Sequence, residues 1–346
     1  MKVLVASRAG NCLSLSQRIE KEGHIPYFRP LDKHSLSIGE GIAQKDTTLN
    51  KKFDLSIFDE ARHGKLADTF SCPVVGACRW ADHADTNEEY SRQILHLGKV
   101  NTCKEIPKNA IVVDCQIWWD GFESHFHSIA MSEDRLMNGD IGPRVDGAGI
   151  TMRMVHKDSK IVRETASKLE NILKKTSYRG PITIRTCVTK EDISALRLFA
   201  HINYLPNFSE LYKGELTKLF HGIAVGSNGY ANFMKDYSIS VLVSIPPYPH
   251  ICVKQTYSPK RIEGLNDPNL KHIWLHDVKK EEGHFVTGGN TGRVMTIAAR
   301  GRDIIECRRR VYRTLSNINI PYMQYRTDIG WKFEDDEKLL RRWGYI

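Results

Sequence analysis

The chain of 346 residues is 41% hydrophobic and 26% charged and carries a formal net charge of +9. This is the balance of a soluble globular protein long enough for two or three domains, and it excludes a disordered polar chain. No apolar run reaches the ~18 residues of a membrane span, and the opening MKVLVASRAGN has too short an apolar stretch for a signal peptide, so the expected location is the cytoplasm.

In chain order, Lys2 to Ser7 (KVLVAS) reads as a buried strand, followed by the turn RAGN and a helical pattern through Leu13, Leu15 and Ile19 that ends near Gly23. This is the opening of an α/β unit. Ile25 to Phe28, Phe53 to Phe58 and Pro73 to Gly76 read as further strands, so a small parallel sheet is expected at the N-terminus. A helix is expected over Asn87 to Leu97, then strands over Ala110 to Ile117 and Glu123 to Met131. Ser159 to Lys175 has the clearest helical pattern, with Ile161, Val162, Ala166, Leu169, Ile172 and Leu173 on one stripe. Ile182 to Val188 and Leu196 to Ile202 read as paired strands. Beyond VLVSIPPYPH and a loop-rich region come a strand at His272 to Leu275, the turn TGGNTG, a strand at Arg293 to Ala298 and a helix over Arg302 to Leu315.

The eight cysteines (Cys12, Cys72, Cys78, Cys103, Cys115, Cys187, Cys252, Cys307) form no CxxC pair, so reduced core thiols are expected. Lysines and arginines are spread without a tract. The charge therefore suits small anionic ligands, and nucleic acid is not an expected partner.

Several constellations are able to carry chemistry. Asn138 to Gly149 (NGDIGPRVDGAG) is rich in glycine and nearly free of apolar side chains; its backbone N–H groups can approach an anion closely, and Asp140 can hold an amine or a sugar hydroxyl. The alternative is a glycine turn joining two elements. Asp59, Glu60 and His63 follow a strand, at the edge where open α/β sheets place ligands. Arg293, at a strand start after a glycine turn, and Arg326 with Asp328 suit phosphate binding or, equally, the seating of the C-terminal tail. His125 and His127 share one side of an expected strand but lack an assignable third metal ligand; His272 and His276, with Asp277, are a similar grouping without further support. Arg308, Arg309, Arg310 and Arg313 read as a solvated helix face.

Two of these stretches carry a family resemblance. TGGNTGRVMTIAARGRDIIECRRRVYRTL followed by YMQYRTDIGW resembles the closing segment of glycinamide ribonucleotide synthetase, the phosphoribosylamine–glycine ligase of purine synthesis. Gly139, Asp140, Gly142, Pro143, Gly147 and Gly149 resemble that family's GDTGPNTGGMG loop. Weaker agreement runs through KVLVAS, WDGFE, SISVLVSIPPYP, Asn203 and Glu210. The resemblance implies the ATP-grasp fold, ATP and magnesium as cofactors, and joining of a carboxylate to an amine through an acyl-phosphate. It places substrate binding on the glycine stretch with Arg293, Arg326 and Asp328, and metal binding on His201 and Asn203.

The sequence also departs from the family. Only His96 to Ala110 fills the gap in which the family inserts its ATP-covering lid. Gln116 and Ile117 stand where the family's hinge carries carboxylates, His201 replaces a magnesium-binding glutamate, and Leu205 replaces an arginine. Lys99, Lys104 and Lys108 are the lysines of the short connection. The expected fold is α/β in three parts: an N-terminal parallel-sheet domain (1–84), a lid-less ATP-grasp-like central domain (85–238) and a C-terminal α/β domain (239–346). The expected function is a divergent ATP-dependent carboxylate–amine ligase of purine or modified-nucleotide metabolism. The alternative is a silent or repurposed scaffold that binds a phosphosugar, a nucleotide or a partner protein. The ligand class is a small phosphorylated or amino-bearing metabolite, with a partner protein able to complete the site.

Overall fold

The computed structural model describes residues 1–46, 52–227, 232–250, 258–289 and 291–346; Cys252 and Asn290 lie outside them. The first strands are β1 (Lys2–Ser7), β2 (Ile25–Pro30), β3 (Leu55–Phe58) and β4 (Val74–Val75), in the order β2-β1-β3-β4 with every neighbour parallel. The apolar run of β1 is buried throughout after Lys2, as a parallel strand covered on both faces requires. After β2 is added on one side of β1, β3 and β4 follow on the other, so the strand order reverses between β1 and β3 and puts the switch point of the α/β unit at the ends of those two strands.

The second sheet is antiparallel and comprises β5 (Ile111–Trp119), β6 (Ser124–Met137), β7 (Ile141–Met154), β8 (Gly180–Val188), β9 (Ile193–Phe199), β10 (Tyr237–Ser244), β11 (Ile273–Leu275) and, after the small hairpin β12 (Val278–Glu281) and β13 (His284–Thr287), β14 (Arg293–Gly301). Its order is β11-β14-β10-β7-β6-β5-β8-β9, so residues from the middle and the end of the chain share one ladder. Trp118, Trp119, Trp274, Phe208 and Phe220 are fully buried; Trp118 lies 4.6 Å, centroid to centroid, from Phe208. Aromatic burial of this size anchors the sheet to its helices. The helix Glu88–Leu97, capped by Asn87 accepting from the Tyr90 N–H, leads into residues 98–110, which contain no helix or strand before β5 begins.

Three expectations need correction. The helix read over Ser159 to Lys175 is broken into Lys160–Glu164, a tight turn at Ala166–Leu169 and Glu170–Leu173. Thr165 leaves helical geometry at φ −125°, ψ −89°, and its hydroxyl bonds the Ile161 carbonyl instead of leaving it to the backbone. Ile161, Val162, Ala166, Leu169 and Leu173 are buried nonetheless, because the stripe needs only an approximate helical course. The glycine-rich stretch is not a long loop: Asn138–Asp140 is the tip and Ile141–Met154 the return strand of the β6–β7 hairpin. Positive φ at Gly139, Asp140, Gly142 and Gly147 lets this strand turn and slip register without ending. The second strand of the β8–β9 pair begins at Ile193, three residues earlier than read.

Candidate functional site

At the switch point, β1 ends in Ser7 and the chain after β3 continues into Asp59 and Glu60. The Ser7 hydroxyl donates to the Asp59 carboxylate and accepts from the Gly10 N–H at 3.0 Å. Asn11 Nδ2 donates to Glu60 Oε1 at 2.7 Å, and Arg8 stands 3.8 Å from the other Glu60 oxygen. Asp59 is 2% exposed, and its Oδ1 is buried with no hydrogen-bond partner. Burial, reinforced by the charge of Glu60, pushes its pKa up to about 7, against the opposing pull of Ser7, the Arg8 N–H and His201.

This loop closes on the C-terminal part of the chain. Gly10 has φ +89°, and a Cβ there would lie 2.5 Å from the His276 carbonyl oxygen, so only glycine fits. His276 Nδ1 lies 3.2 Å from the Asn11 carbonyl and Nε2 2.8 Å from Thr296 Oγ1. Burial, with the charge of Arg293, holds this imidazole well below its usual pKa. It is neutral, and the carbonyl assigns the proton to Nδ1. Asp277 Oδ2 accepts from the Thr291 N–H (3.0 Å), the Thr291 hydroxyl (2.9 Å) and the Gly292 N–H (3.2 Å), while its Oδ1 is buried without a partner. Arg293 Nε is also buried and unpartnered. Its charge acts on Tyr248, and so does that of Asp146 in β7. Asp59 Oδ1, Asp277 Oδ1 and Arg293 Nε are thus three buried polar atoms without hydrogen-bond partners, on the segments that meet at or adjoin the Gly10–His276 contact. A ligand presenting both a donor and an acceptor would complete them.

The tip of the β6–β7 hairpin and the RTDIG segment meet. Arg326, 2% exposed, donates to Asp140 Oδ1 (2.7 Å), to both oxygens of Asp328 (2.8 and 2.9 Å) and to the Arg135 carbonyl (3.0 Å), with Glu133 at 3.6 Å. The Gly139 N–H donates to Asp328 Oδ2 at 2.8 Å, and Asn138 exchanges two bonds with Thr327. Gly149 packs against Ile329, where a Cβ would collide with the side chain. Four of the expected binding residues are thereby bound to one another: Gly139, Asp140, Arg326 and Asp328. Gly142 lies against Met137, Gly147 against Ser132 and Ile150, and Pro143 is in β7 beside them. Arg308 is no solvated residue: it donates to the Thr327 and Ile329 carbonyls and lies over the Trp331 ring at 4.1 Å. Arg309, Arg310 and Arg313 are exposed.

His201 and Asn203 engage separate partners. His201 Nδ1 pairs with Asp85 Oδ2 at 2.6 Å; burial lowers its pKa, but the bond and charge of Asp85 outweigh this and leave it raised. Asn203 Oδ1 accepts from Gln116 Nε2 (2.5 Å) and Thr183 Oγ1 (3.0 Å). An imidazole and an already saturated amide oxygen do not match the hard oxygen shell that magnesium takes.

His125 and His127 do not act together. Phe126 has φ +52° and interrupts the alternation; His125 pairs with Asp120 at 2.9 Å, and His127 lies 3.1 Å from Ser124 Oγ. Asp120, Glu123 and His125 offer ligand atoms within 4.8 Å of one another. That grouping escaped the sequence reading because Asp120 reaches His125 across a tight turn. Ser7, Gly10, Asn11 and Asp85 were also missed; the RAGN turn after the first strand was the available signal for the first three.

Residues 238–332 match the family model described as "Phosphoribosylglycinamide synthetase, C domain". The chain is similar to the phosphoribosylamine–glycine ligase of Streptomyces coelicolor, 26% identical over 213 residues, covering 57% of this chain and 50% of that protein. With the enzyme of the same name from Helicobacter pylori it is 30% identical over 105 residues, 30% of this chain and 23% of the relative. The chain spans about half the length of the first of these relatives. Its fold is similar to that of phosphoribosylamine–glycine ligase from Thermotoga maritima, with a TM-score of 0.74 at 14% identity, over 95% of this chain and 100% of that one. It is also similar to the biotin carboxylase domain of a thermophilic 2-oxoglutarate carboxylase, with a TM-score of 0.65 at 11% identity over 92% and 90% of the two chains. The chain is thus similar in fold to these ligase and carboxylase structures, and its residues 238–332 match the phosphoribosylglycinamide synthetase C domain.

Proposed function

We propose that this chain is a divergent, cytoplasmic ATP-grasp ligase-like protein. It joins a carboxylate to an amine at the expense of ATP, in purine or modified-nucleotide metabolism, on a small phosphorylated or amino-bearing metabolite. The observation that supports this reading most is the set of unmatched buried polar atoms around the Gly10–His276 contact. The Arg293 guanidinium suits a phosphate, and the Asp59 and Asp277 oxygens suit an amine or hydroxyl. His201 and Asn203, engaged by Asp85, Gln116 and Thr183, do not offer magnesium a fitting site.

A second reading is favoured by the commitment of Asn203 to Gln116 and Thr183 and by the short connection 98–110. In it the scaffold binds a phosphosugar, nucleotide or partner protein without ligation. Ligand-induced thermal stabilisation separates the two, since a ligand bound only by the folded state adds RT ln(1 + [L]/Kd), about 2.7 kcal/mol at a hundredfold excess over Kd. The ligase reading expects a shift with magnesium–ATP, and ATP consumption only when an amine and an acid are both present. A shift with phosphoribosyl compounds alone, without turnover, supports the second reading. No shift with any of them overturns both.

A further inference from the structure

The turn from β5 into β6 gathers an imidazole and two carboxylates. Asp120 follows the last residue of β5, the chain reverses at Gly121 with φ +99°, and His125 is the second residue of β6. Asp120 Oδ1 accepts from the Phe122 N–H at 2.8 Å and the Glu123 N–H at 2.9 Å. These two bonds fix the carboxylate and leave Oδ2 to His125 Nε2, 2.9 Å away. Glu123 Oε1 stands 3.9 Å from the same nitrogen. The three ligand atoms therefore lie within 4.8 Å of one another. Asp120 is buried, whereas the Glu123 side chain is largely in solvent and free to turn.

From this geometry we infer that Asp120, Glu123 and His125 form a binding site for a divalent transition-metal ion, zinc by preference, with solvent completing its shell. Zinc holds oxygen and nitrogen ligands at about 2.0–2.2 Å, so a tetrahedral shell places neighbouring ligand atoms about 3.4 Å apart. The separations of 2.9 and 3.9 Å straddle that value. The ion is admitted by rotation of Glu123 and a slight widening of the Asp120–His125 pair, with the backbone unmoved. Ligation uses the Nε2 lone pair, so the neutral ring carries its proton on Nδ1 instead. The donor set selects the ion: magnesium and calcium take shells of oxygen, whereas an imidazole beside carboxylates suits zinc. The N–H bonds to Asp120 Oδ1 orient the buried ligand before the ion arrives, as supporting contacts do in metal sites. Arg179 also packs on this turn, its guanidinium 5.3 Å from the centre of the Phe122 ring, but two carboxylates leave the turn anionic beside it. Bound there, the ion ties the end of β5 to the start of β6. This inference does not rest on the ligase reading.

The test uses the full chain, stripped with EDTA and dialysed free of it. Zinc chloride is titrated by calorimetry and cobalt(II) chloride by visible absorption. The expected result is one equivalent of zinc at this site, an affinity unchanged by excess magnesium, and cobalt ligand-field bands without the cobalt–thiolate absorption that the partly covered Cys72 and Cys103 would give. Glu123→Gln, His125→Ala and Asp120→Asn, whose Oδ1 still accepts both N–H bonds, should each weaken zinc roughly tenfold or more. Near-ultraviolet circular dichroism in EDTA checks the fold of each variant, and Glu123→Gln, which alters an exposed side chain, keeps the test decisive where the others lose stability. Absence of zinc binding overturns the inference. So does an affinity that Glu123→Gln and His125→Ala leave unchanged, or cobalt held through thiolate.

Discussion

Asp59→Asn tests the electrostatics of the strand-end cluster. An unfolded aspartate titrates near 3.9, whereas the folded carboxyl is pushed up to about 7 by burial and then by Glu60. Between those values the folded state holds a proton that the unfolded state has released, so ionisation opposes folding and stability falls as pH rises from about 4 through 7. A difference of about three units at 1.36 kcal/mol each gives roughly 4 kcal/mol lost at pH 8. An asparagine carries no such cost, and its amide keeps an oxygen for the Ser7 hydroxyl. Urea denaturation of both chains from pH 4 to pH 8 is the assay. The variant should match the parent near pH 4 and exceed it progressively, by up to roughly 4 kcal/mol, at pH 8. A gap that stays constant within about 1 kcal/mol across that range would mean that Asp59 ionises normally, and the cluster would lose its claim to hold a proton near neutrality.

Arg326→Met leaves Glu133, Asp140 and Asp328 facing one another without a cation. A loss of about 3 kcal/mol is expected, the low end for a broken buried pair because Asp140 is half exposed, with faster amide exchange at residues 138–149; a loss below about 1 kcal/mol refutes the role of Arg326 in holding the hairpin. Gly10→Ala places a methyl against the His276 carbonyl at positive φ, and thermal denaturation should register a cost of about 1–3 kcal/mol; an unchanged midpoint would show that the loop does not need that contact. Magnesium alone should leave the melting temperature unmoved, because Asn203 and His201 are already engaged. Heat released in a magnesium titration and abolished by Asn203→Ala would contradict this.

Much of the framework was legible in the residues. KVLVAS and FDLSIF announce buried parallel strands, because continuous apolar runs are stable only when both faces are covered. The helical pattern of Asn87 to Leu97 marks its helix in the same local way. The resemblance of NGDIGPRVDGAG and of YMQYRTDIGW to two motifs of one family was likewise readable from side chains in order. What each residue does was not. Arg326 and Asp140 stand 186 positions apart, and only the hairpin brings them together, which turns two expected ligand contacts into a contact within the protein. The pKa of Asp59 and the unmatched Nε of Arg293 depend on burial and on neighbours supplied by distant elements, and so do the partners of Asn203. Local periodicity and turn chemistry act over a few residues and determine strands and helices. Desolvation and charge pairing act through space, so the tertiary structure alone decides which polar groups are satisfied and which remain for a ligand.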